Sequence, residues 1–439
     1  MKMQSFTEYP FVDGGVCAAQ GFKANGVCCG LKHQALPGEG ISEQNLAANG
    51  IDVEIPDENA PKKKNDLAMI VSDCDCAAAA VYTQNKVKGA PILVTKAHLA
   101  DGYARAVIVN SVNANTCNAD GEEKANAMAK LTADALGIKE KDVIVASTGV
   151  IGQTLPIEPI AKGVPVLVTG LSYEGNTEAV HAIMTTDTRE KEVAVQFQLG
   201  KKTVTLGGML KGSGMIHPNM ATTLTFLTTD CAITPAMLQQ ALSDVVRVTL
   251  NRVSVDGDQS TNDMCCIMAN GMAHNSKISD ENGDYAIFRG ALYAVLLNLA
   301  RMCAADGEGA TKLIECTVTD APDEKTAETV AKSVIESSLF KAAMFGADAN
   351  WGRIACAIGY ADADFDITKI DVDLGSPKGR IAVARAGFGV PFSEEKAKEI
   401  LLEDEIQVLV SLHAGEAAAT AWGCDLTYDY VKINGDYRS

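Results

Sequence analysis

The segments AVIVN at residues 106–110, GEEKANAMAKLTADAL at 121–136 and DVIVA at 142–146 follow one another along the chain. The two short apolar runs are typical of buried strands. The segment between them has helical spacing, acidic residues in its first turn, and Gly137 directly after it, which are signals of a helix start and end. A strand, a helix and a strand in succession predict an α/β architecture in which helices cover the sheets.

The rest of the chain continues this alternation. Gly200 and Lys201 predict a hairpin turn between two strands, Thr234-Pro235 predicts a capped helix start, and Ser393 is expected to cap a short helix. Expected helices are 234–253, 286–305 and 324–345, and expected strands are 192–199, 203–206, 316–319, 365–374, 379–386, 405–412 and 428–433. Together these elements predict a layered α/β (α+β) sandwich.

Composition and charge narrow the classes of function. The chain has 439 residues, 47% of them hydrophobic, and a formal net charge of −18. Such an acidic balance argues against nucleic acid or an anionic membrane surface as a partner. Residues 1–13 are too polar for a signal peptide, and residues 291–300 are too short to span a bilayer. We therefore expect a cytoplasmic protein.

The 13 cysteines are expected to be reduced core residues in that compartment. Their clusters are Cys28-Cys29, Cys265-Cys266 and the pair Cys74 and Cys76, and none has the paired spacing of a zinc site. We expect no bound metal.

The segment KGSGMIHPNMATTLT at residues 211–225 changes abruptly from a loop composition to strand residues at about Thr222. A threonine there, preceded by the small Ala221, can attack its own preceding carbonyl and become a new N-terminus after ester hydrolysis. The freed α-amine, with a reference pKa near ~8, can then serve as the base for the adjacent hydroxyl. The same threonines also fit an ordinary strand, and the pattern alone leaves both interpretations open.

This segment resembles the processing site of the ornithine acetyltransferases, also called glutamate N-acetyltransferases. The resemblance covers nearly the whole chain. Further matching blocks are IVNSVNAN (108–115), VASTGVIG (145–152), SVDGDQSTND (254–263), DGEGATK (306–312), ANWGRIACAIG (349–359) and INGDYRS (433–439).

The resemblance implies a two-domain, DmpA/ornithine-acetyltransferase-like fold and self-cleavage between Ala221 and Thr222. The products are an N-terminal α chain, 1–221, and a C-terminal β chain, 222–439, which stay together and pair into an assembly of two α and two β chains. The implied reaction is a ping-pong transfer in arginine biosynthesis that moves acetyl from N2-acetylornithine to glutamate through an acetyl-Thr222 intermediate. Some members also take acetyl from acetyl-CoA, and the sequence leaves this open. No other cofactor is implied.

The resemblance also assigns site residues. Thr148 and Gly149 look like the oxyanion hole, because a glycine after a strand lets a backbone N–H approach the developing negative charge. The implied substrate-binding residues are Thr185, Lys211, Thr222, Glu308, Asn434 and Ser439. Taken alone, each of these residues also fits a turn, cap, hairpin or terminal position.

The chain departs from the family pattern at three positions. Val112 stands where the family has a glycine, Gln259 where a threonine is expected, and Ser439 where the family ends in threonine. A valine tolerates a left-handed backbone badly, so Val112 puts the local conformation in doubt. Two other functions remain as alternatives: an amidase or aminopeptidase with an N-terminal nucleophile, and an unprocessed homologue that only binds amino acids.

Overall fold

The computed structural model describes residues 9–31, 64–217 and 223–435. The predicted cleavage site, Ala221 and Thr222, and the terminal Ser439 lie outside the described residues.

Strands and helices alternate along the described ranges. The strands are β1 (Phe11–Val12), β2 (Phe22–Val27), β3 (Leu67–Tyr82), β4 (Tyr103–Asn110), β5 (Val143–Ser147), β6 (Glu192–Leu199), β7 (Lys202–Lys211), β8 (Leu224–Thr229), β9 (Val253–Ser254), β10 (Met264–Ala269), β11 (Leu313–Ala321), β12 (Asp371–Ser376), β13 (Gly379–Arg385), β14 (Phe388–Gly389), β15 (Glu405–Ser411) and β16 (Ala417–Cys424). The helices are α1 (Ala90–His98), α2 (Gly121–Leu136), α3 (Ile157–Thr169), α4 (Asn176–Ile183), α5 (Pro235–Val248), α6 (Gly283–Ala305), α7 (Glu324–Glu336), α8 (Ser338–Phe345), α9 (Trp351–Gly359), α10 (Glu394–Leu401) and α11 (Tyr428–Gly435).

The strands of the described ranges form two mixed sheets. The nine-stranded sheet has the order β1-β6-β7-β8-β10-β3-β4-β5, and β2 pairs with β3. The seven-stranded sheet has the order β14-β13-β12-β15-β11-β16-β9. Four pairs are parallel, β4 with β5, β8 with β10, β11 with β15 and β16 with β9. The predicted mixture of helices and sheets is confirmed.

Helix α6 lies between the two sheets. It packs on β6 and β7 of one sheet and on β11 and β16 of the other. Successive residues of β11 pack in different hydrophobic cores. Leu313 packs with α6 on one face of the sheet, and Ile314 packs with α7 on the opposite face. By length and composition α6 could cross a membrane, but 67% of its most apolar 18 residues is buried inside the protein. The apolar surface of this helix is therefore used in a layered sandwich.

Several sequence predictions are confirmed by the structure. Helix α2 has the predicted bounds and ends at Gly137, which takes the left-handed conformation with φ +66°. The predicted strands on either side are β4 and β5. The hairpin is also present, with β6 and β7 antiparallel on either side of a turn at Gly200, φ +60°.

The prediction of one helix over 324–345 is wrong. The segment is divided into α7 and α8 at Ser337, whose ψ of 109° is not helical. The Ser337 hydroxyl accepts a hydrogen bond from the Phe340 backbone N–H (3.3 Å), which is the geometry of an N-cap. Buried residues continue in both helices. The apolar spacing consequently gives no signal of the break.

The strand predicted over 428–433 is helix α11. None of its residues is buried, so its alternating apolar residues do not mark the inner face of a sheet. The Thr427 hydroxyl accepts from the Asp429 backbone N–H (3.2 Å) and stabilises the turn that begins the helix.

Several predicted boundaries differ from the structure. Strands β7 and β11 extend beyond the predicted 203–206 and 316–319. Helix α5 begins as predicted, with the Thr234 hydroxyl accepting from the Met237 N–H, but it ends at Val248 rather than near residue 253. The strand predicted over 365–374 begins only at Asp371, because Ile367–Lys369 form a 3₁₀ turn capped by Asp366.

The predicted cleavage site does not separate the two sheets. Strands β8 and β10, which follow residue 222, lie between β7 and β3, which precede it. The nine-stranded sheet is therefore built from both sides of the predicted site, and strand hydrogen bonds join the two sides.

Candidate active site

A cleft of about 130 Å³ lies where β7 ends and β8 begins. Thr223, the neighbour in sequence of the predicted nucleophile, contributes to its wall. Six residues assigned by the family resemblance line the same cleft: Thr148, Gly149, Thr185, Lys211, Glu308 and Asn434. Ala221, Thr222 and Ser439 lie outside the described residues, so their placement stays a prediction.

The loop after β5 brings Thr148 and Gly149 to the cleft. The side-chain amide of Asn262 holds this loop by donating to the carbonyls of Ser147 (3.0 Å) and Ala114 (2.6 Å). Asn110 donates through Nδ2 to the Ser147 hydroxyl (2.6 Å). One bond comes from the end of the neighbouring strand β4 and the others from the loop that precedes β10, so the loop after β5 is held from two sides.

The two residues of this loop offer different donors. The Thr148 backbone N–H already donates to the Asn110 carbonyl (3.0 Å), which leaves the side-chain hydroxyl of Thr148 for a ligand. The Gly149 N–H has no hydrogen-bond partner in the described ranges. Gly149 has φ +126°, and a Cβ there would lie 2.0 Å from the Val112 carbonyl oxygen, so only glycine fits. A backbone N–H and a hydroxyl side by side can stabilise an oxyanion.

Val112 itself does not need a left-handed backbone. It is not among the described non-glycine residues with positive φ, and its carbonyl accepts from the Val150 N–H (3.0 Å). The expectation that Val112 disturbs the local backbone is therefore wrong. Where the loops after β4 and β5 meet, the position that requires glycine is Gly149.

Lys211 is the last residue of β7 and pairs with Leu224 at the start of β8. It is 8% exposed, and its ammonium makes no hydrogen bond or ion pair with any described residue. Its charge still acts at a distance, since it favours ionisation of Asp187 and Asp263. A buried cation without a partner at the cleft wall is suited to bind an anionic group of a ligand.

Glu308 brings a negative charge to the same cleft. It is 8% exposed, its backbone N–H donates to the Ser213 carbonyl (3.0 Å), and its Oε2 accepts from Asn434 Nδ2 (2.6 Å). A Cβ on Gly214 would lie 2.4 Å from this carboxylate, so Gly214 gives it room. Lys211 and Glu308 together provide the opposite charges that a ligand with both a carboxylate and an amine requires.

Thr185 occupies the loop after α4. Its backbone N–H donates to Asp187 Oδ2 (3.0 Å), and its carbonyl accepts from Lys64 Nζ (2.8 Å). The backbone of Thr185 is thus held from two sides, while its side chain lines the cleft.

Asp263 is a cleft residue to which sequence reasoning gave no role, although it ends a matching block. It is 3% exposed and directly precedes β10, whose first N–H, from Met264, donates to the Thr223 carbonyl (2.9 Å). Burial raises the pKa of the Asp263 carboxyl well above its usual range, despite a hydrogen bond from Ser260 and the charge of Lys211. In the described part of the chain, no group of three or more His, Cys, Asp or Glu residues could hold a metal ion.

Comparison with known proteins identifies related chains. A model of the ArgJ family matches residues 48–439. The arginine biosynthesis bifunctional protein ArgJ of Caldanaerobacter subterraneus subsp. tengcongensis is 46% identical over 429 residues, which are 98% of this chain and 99% of that protein. The arginine biosynthesis bifunctional protein ArgJ 1 of Clostridium acetobutylicum is 50% identical over 377 residues, 86% of this chain and 92% of that protein.

A solved structure is also similar in sequence. The ornithine acetyltransferase of Mycobacterium tuberculosis, complexed with ornithine, is 34% identical, with a TM-score of 0.39. The match covers 48% of this chain and 100% of that chain.

Replacing Gly149 by alanine should disable the predicted oxyanion hole. The new Cβ would collide with the Val112 carbonyl, so the loop must move and carry the free N–H away. Loss of one such donor lowers kcat by about 10²–10³-fold. Gly152→Ala is the matched control, because Gly152 has positive φ but open space around its Cβ position. Steady-state kinetics of acetyl transfer check this, and wild-type kcat in Gly149→Ala would contradict it.

Asp263 should make stability depend on pH. Because its folded-state pKa is raised above the unfolded value of about 4, the folded chain holds a proton that the unfolded chain releases. The resulting stabilisation is full below the unfolded pKa and is lost as pH rises toward the folded pKa. We expect the melting temperature of Asp263→Asn to fall less than that of the wild type between pH 5 and pH 8, two values chosen to lie above about 4.

The control for this series is Asp280→Asn, which removes an exposed acid. Melting curves across the series should match the wild type for this control. Identical pH dependence in the wild type and Asp263→Asn would show that Asp263 is ionised in the folded protein.

Proposed function

Because this chain belongs to the ArgJ family, we propose that it transfers an acetyl group from N2-acetylornithine to glutamate in arginine biosynthesis. The observation that carries the proposal is the presence, in one cleft beside Thr223, of a free Gly149 N–H, an unpaired Lys211 and a buried Glu308. Acyl transfer to and from an amino acid needs an oxyanion donor, an anion-binding group and an amine-binding group.

The proposed first step is maturation. The Thr222 hydroxyl attacks the Ala221 carbonyl, the peptide C–N bond breaks, and the amine takes the proton that the hydroxyl loses. Water then hydrolyses the ester, which leaves a carboxylate on Ala221 and a free α-amine and hydroxyl on Thr222. The pairing of β8 and β10 within the first sheet supports continued association of the two pieces, residues 1–221 and 222–439.

The proposed second step is acetylation of the enzyme. The Thr222 α-amine takes the proton of its own hydroxyl, whose oxygen attacks the acetyl carbonyl of N2-acetylornithine. We assign stabilisation of the oxyanion to the Gly149 N–H and the Thr148 hydroxyl, because both residues line the cleft. The C–N bond then breaks, ornithine leaves with the proton from the α-amine, and acetyl-Thr222 remains.

The proposed third step transfers the acetyl group to glutamate and regenerates the free Thr222 hydroxyl. The amine of glutamate attacks the acetyl ester, the same oxyanion donors act again, and the Thr222 oxygen recovers a proton as N-acetylglutamate leaves. Lys211 is suited to the substrate carboxylate, and Glu308 to the side-chain amine of ornithine. We assign supporting contacts to Thr185, Asn434 and Ser439. Asn434 already bonds to Glu308, which supports a role in closing that end of the cleft.

The relatives are named bifunctional proteins, and this name supports acetyl-CoA as a second acetyl donor for glutamate. The proposed reaction requires no bound cofactor. We also propose an assembly of two N-terminal and two C-terminal chains in the cytoplasm, on the strength of the family resemblance.

Thr222→Ala should yield a single uncut chain without acetyl transfer, because the hydroxyl that attacks in both reactions is gone. Intact mass under denaturing conditions should show one chain in the variant and two fragments in the wild type, the second beginning at Thr222. Thr225→Val is the matched control, since its hydroxyl bonds only to Thr223 Oγ1 among described residues, and this variant should be cut. Acetyl transfer by Thr222→Ala at the wild-type rate would rule out the mechanism.

Glu308→Gln should be cut normally but bind N-acetylornithine poorly. Loss of a charge-assisted hydrogen bond costs about 1.5–3 kcal/mol, which corresponds to roughly 10- to 100-fold in KM. The control Glu315→Gln removes another partly buried carboxylate, which pairs with Arg301 away from the cleft. Initial rates measured against N-acetylornithine concentration give the KM of both variants. An unchanged KM in Glu308→Gln would refute the assigned role.

A further inference from the structure

Three segments that are distant in sequence line the cleft, and their backbones are joined to one another on the side away from it. They are the loop at residues 185–188, the end of β7 at residues 211–212, and the turn at residues 306–308. Each segment carries one of the proposed substrate-binding side chains, Thr185, Lys211 and Glu308. Their relative positions therefore determine the spacing of the binding groups.

One buried cation connects them. Lys191 is 1% exposed, and its ammonium donates to Asp187 Oδ1 (2.7 Å) and to Asp306 Oδ2 (2.5 Å). Both carboxylate side chains are buried as well. The three charges form a compact ion cluster, which we call the Lys191 cluster, and it does not line the cleft.

Asp187 extends the Lys191 cluster to two of the segments. Its Oδ2 accepts from the Thr185 N–H (3.0 Å), and its Oδ1 accepts from the N–H of Gly212 (2.8 Å), the residue that follows Lys211. One carboxylate thus fixes the backbone at Thr185 and at the end of β7.

Asp306 extends the cluster to the third segment. Its carboxylate accepts from the Thr188 N–H (3.1 Å) and from the Thr188 hydroxyl, so it also holds the far end of the loop that contains Thr185. The Asp306 carbonyl accepts from the Ser213 hydroxyl (2.7 Å), and the Ser213 carbonyl accepts from the Glu308 N–H (3.0 Å). The turn that presents Glu308 is therefore bonded to the segment that follows Lys211.

The pKa shifts of Asp187 and Lys191 favour the charged form of each side chain. Burial alone would raise the pKa of Asp187, but the neighbouring Lys191 and Lys211 ammoniums hold it well below its usual range. Burial would likewise lower the pKa of Lys191, and the two carboxylates raise it instead. A buried cluster of this kind is a poor way to gain stability, since well-packed apolar residues often serve as well. Its bonds to three cleft segments indicate a different role.

We propose that Lys191 is a positioning residue that sets the spacing of Thr185, Lys211 and Glu308, and through them the affinity for the amino-acid substrate. This inference rests on the proposed function of the cleft. The oxyanion loop is held separately, by Asn110 and Asn262. Loss of Lys191 should therefore raise KM more than it lowers kcat.

The test compares Lys191→Met with Lys312→Met. Both remove a buried ammonium and keep an unbranched side chain, but Lys312 donates to the carbonyls of Met344 and Leu401, away from the cleft. We expect KM for N-acetylornithine to rise about tenfold or more in Lys191→Met, which is the effect of losing about 1.5 kcal/mol of charge-assisted hydrogen bonding. The KM of Lys312→Met should stay at the wild-type value even if its melting temperature falls.

Calorimetric titration with ornithine separates this inference from the proposed function. If the wild type transfers no acetyl group, the proposed function fails, while a weaker ornithine affinity in Lys191→Met still supports the positioning role. If the wild type is active and Lys191→Met keeps both its KM and its ornithine affinity, the inference is overturned.

A second variant decides the matter if Lys191→Met does not fold. Thr188→Val removes only the hydroxyl that donates to Asp306, at an exposed residue, and keeps a side chain of the same shape. We expect a smaller rise in the ornithine dissociation constant. An unchanged dissociation constant in a folded Thr188→Val would overturn the inference.

Discussion

The pairing of β8 with β7 and β10 is the constraint on which the candidate site depends. Leu224 lies opposite Lys211 on one side and Met264 on the other. This register brings the residue after the predicted nucleophile, the cation at the end of β7 and the buried acid before β10 to one edge of the sheet. A slip of one residue would turn every side chain of β8 to the opposite face. The hydrophobic cores on both faces of the sheet oppose such a slip, since Phe226 and Leu227 pack in different cores.

At the same edge of the sheet, the loop after β5 requires a glycine at residue 149. The Thr148 N–H and Val150 N–H both bond to the chain at residues 110–112, which leaves only the N–H between them free. The Val112 carbonyl fills the space where a Cβ on Gly149 would lie. The backbone of Gly149 lies very close to that of Val112. This close approach both requires a glycine at residue 149 and leaves its N–H free.

Sequence reasoning predicted regular elements well where local signals were complete, as in α2 with its acidic first turn and its terminal Gly137. It failed at Ser337, because apolar spacing continues through the capping residue, and at α11, because an exposed helix leaves no pattern of burial. Strand β3 was missed, since its polar residues around Asp73 lie at an irregularity in the pairing with β4. The site residues 148, 149, 185, 211, 308 and 434 were predicted from the family resemblance. Lys191 and Asp263 were not predicted, because the sequence alone does not show whether a charged side chain is buried or exposed to solvent.

The charges around Lys211 explain how a strongly acidic protein can keep a cation free for a ligand. Two acids lie close enough for Lys211 to favour their ionisation, Asp187 and Asp263. Asp187 is already paired with Lys191, and burial opposes ionisation of Asp263 by raising its pKa. An ionised Asp263 would compete with an incoming carboxylate for the same ammonium. Burial of one acid and pairing of the other therefore have one shared effect, which is that the charge of Lys211 remains available on the cleft wall.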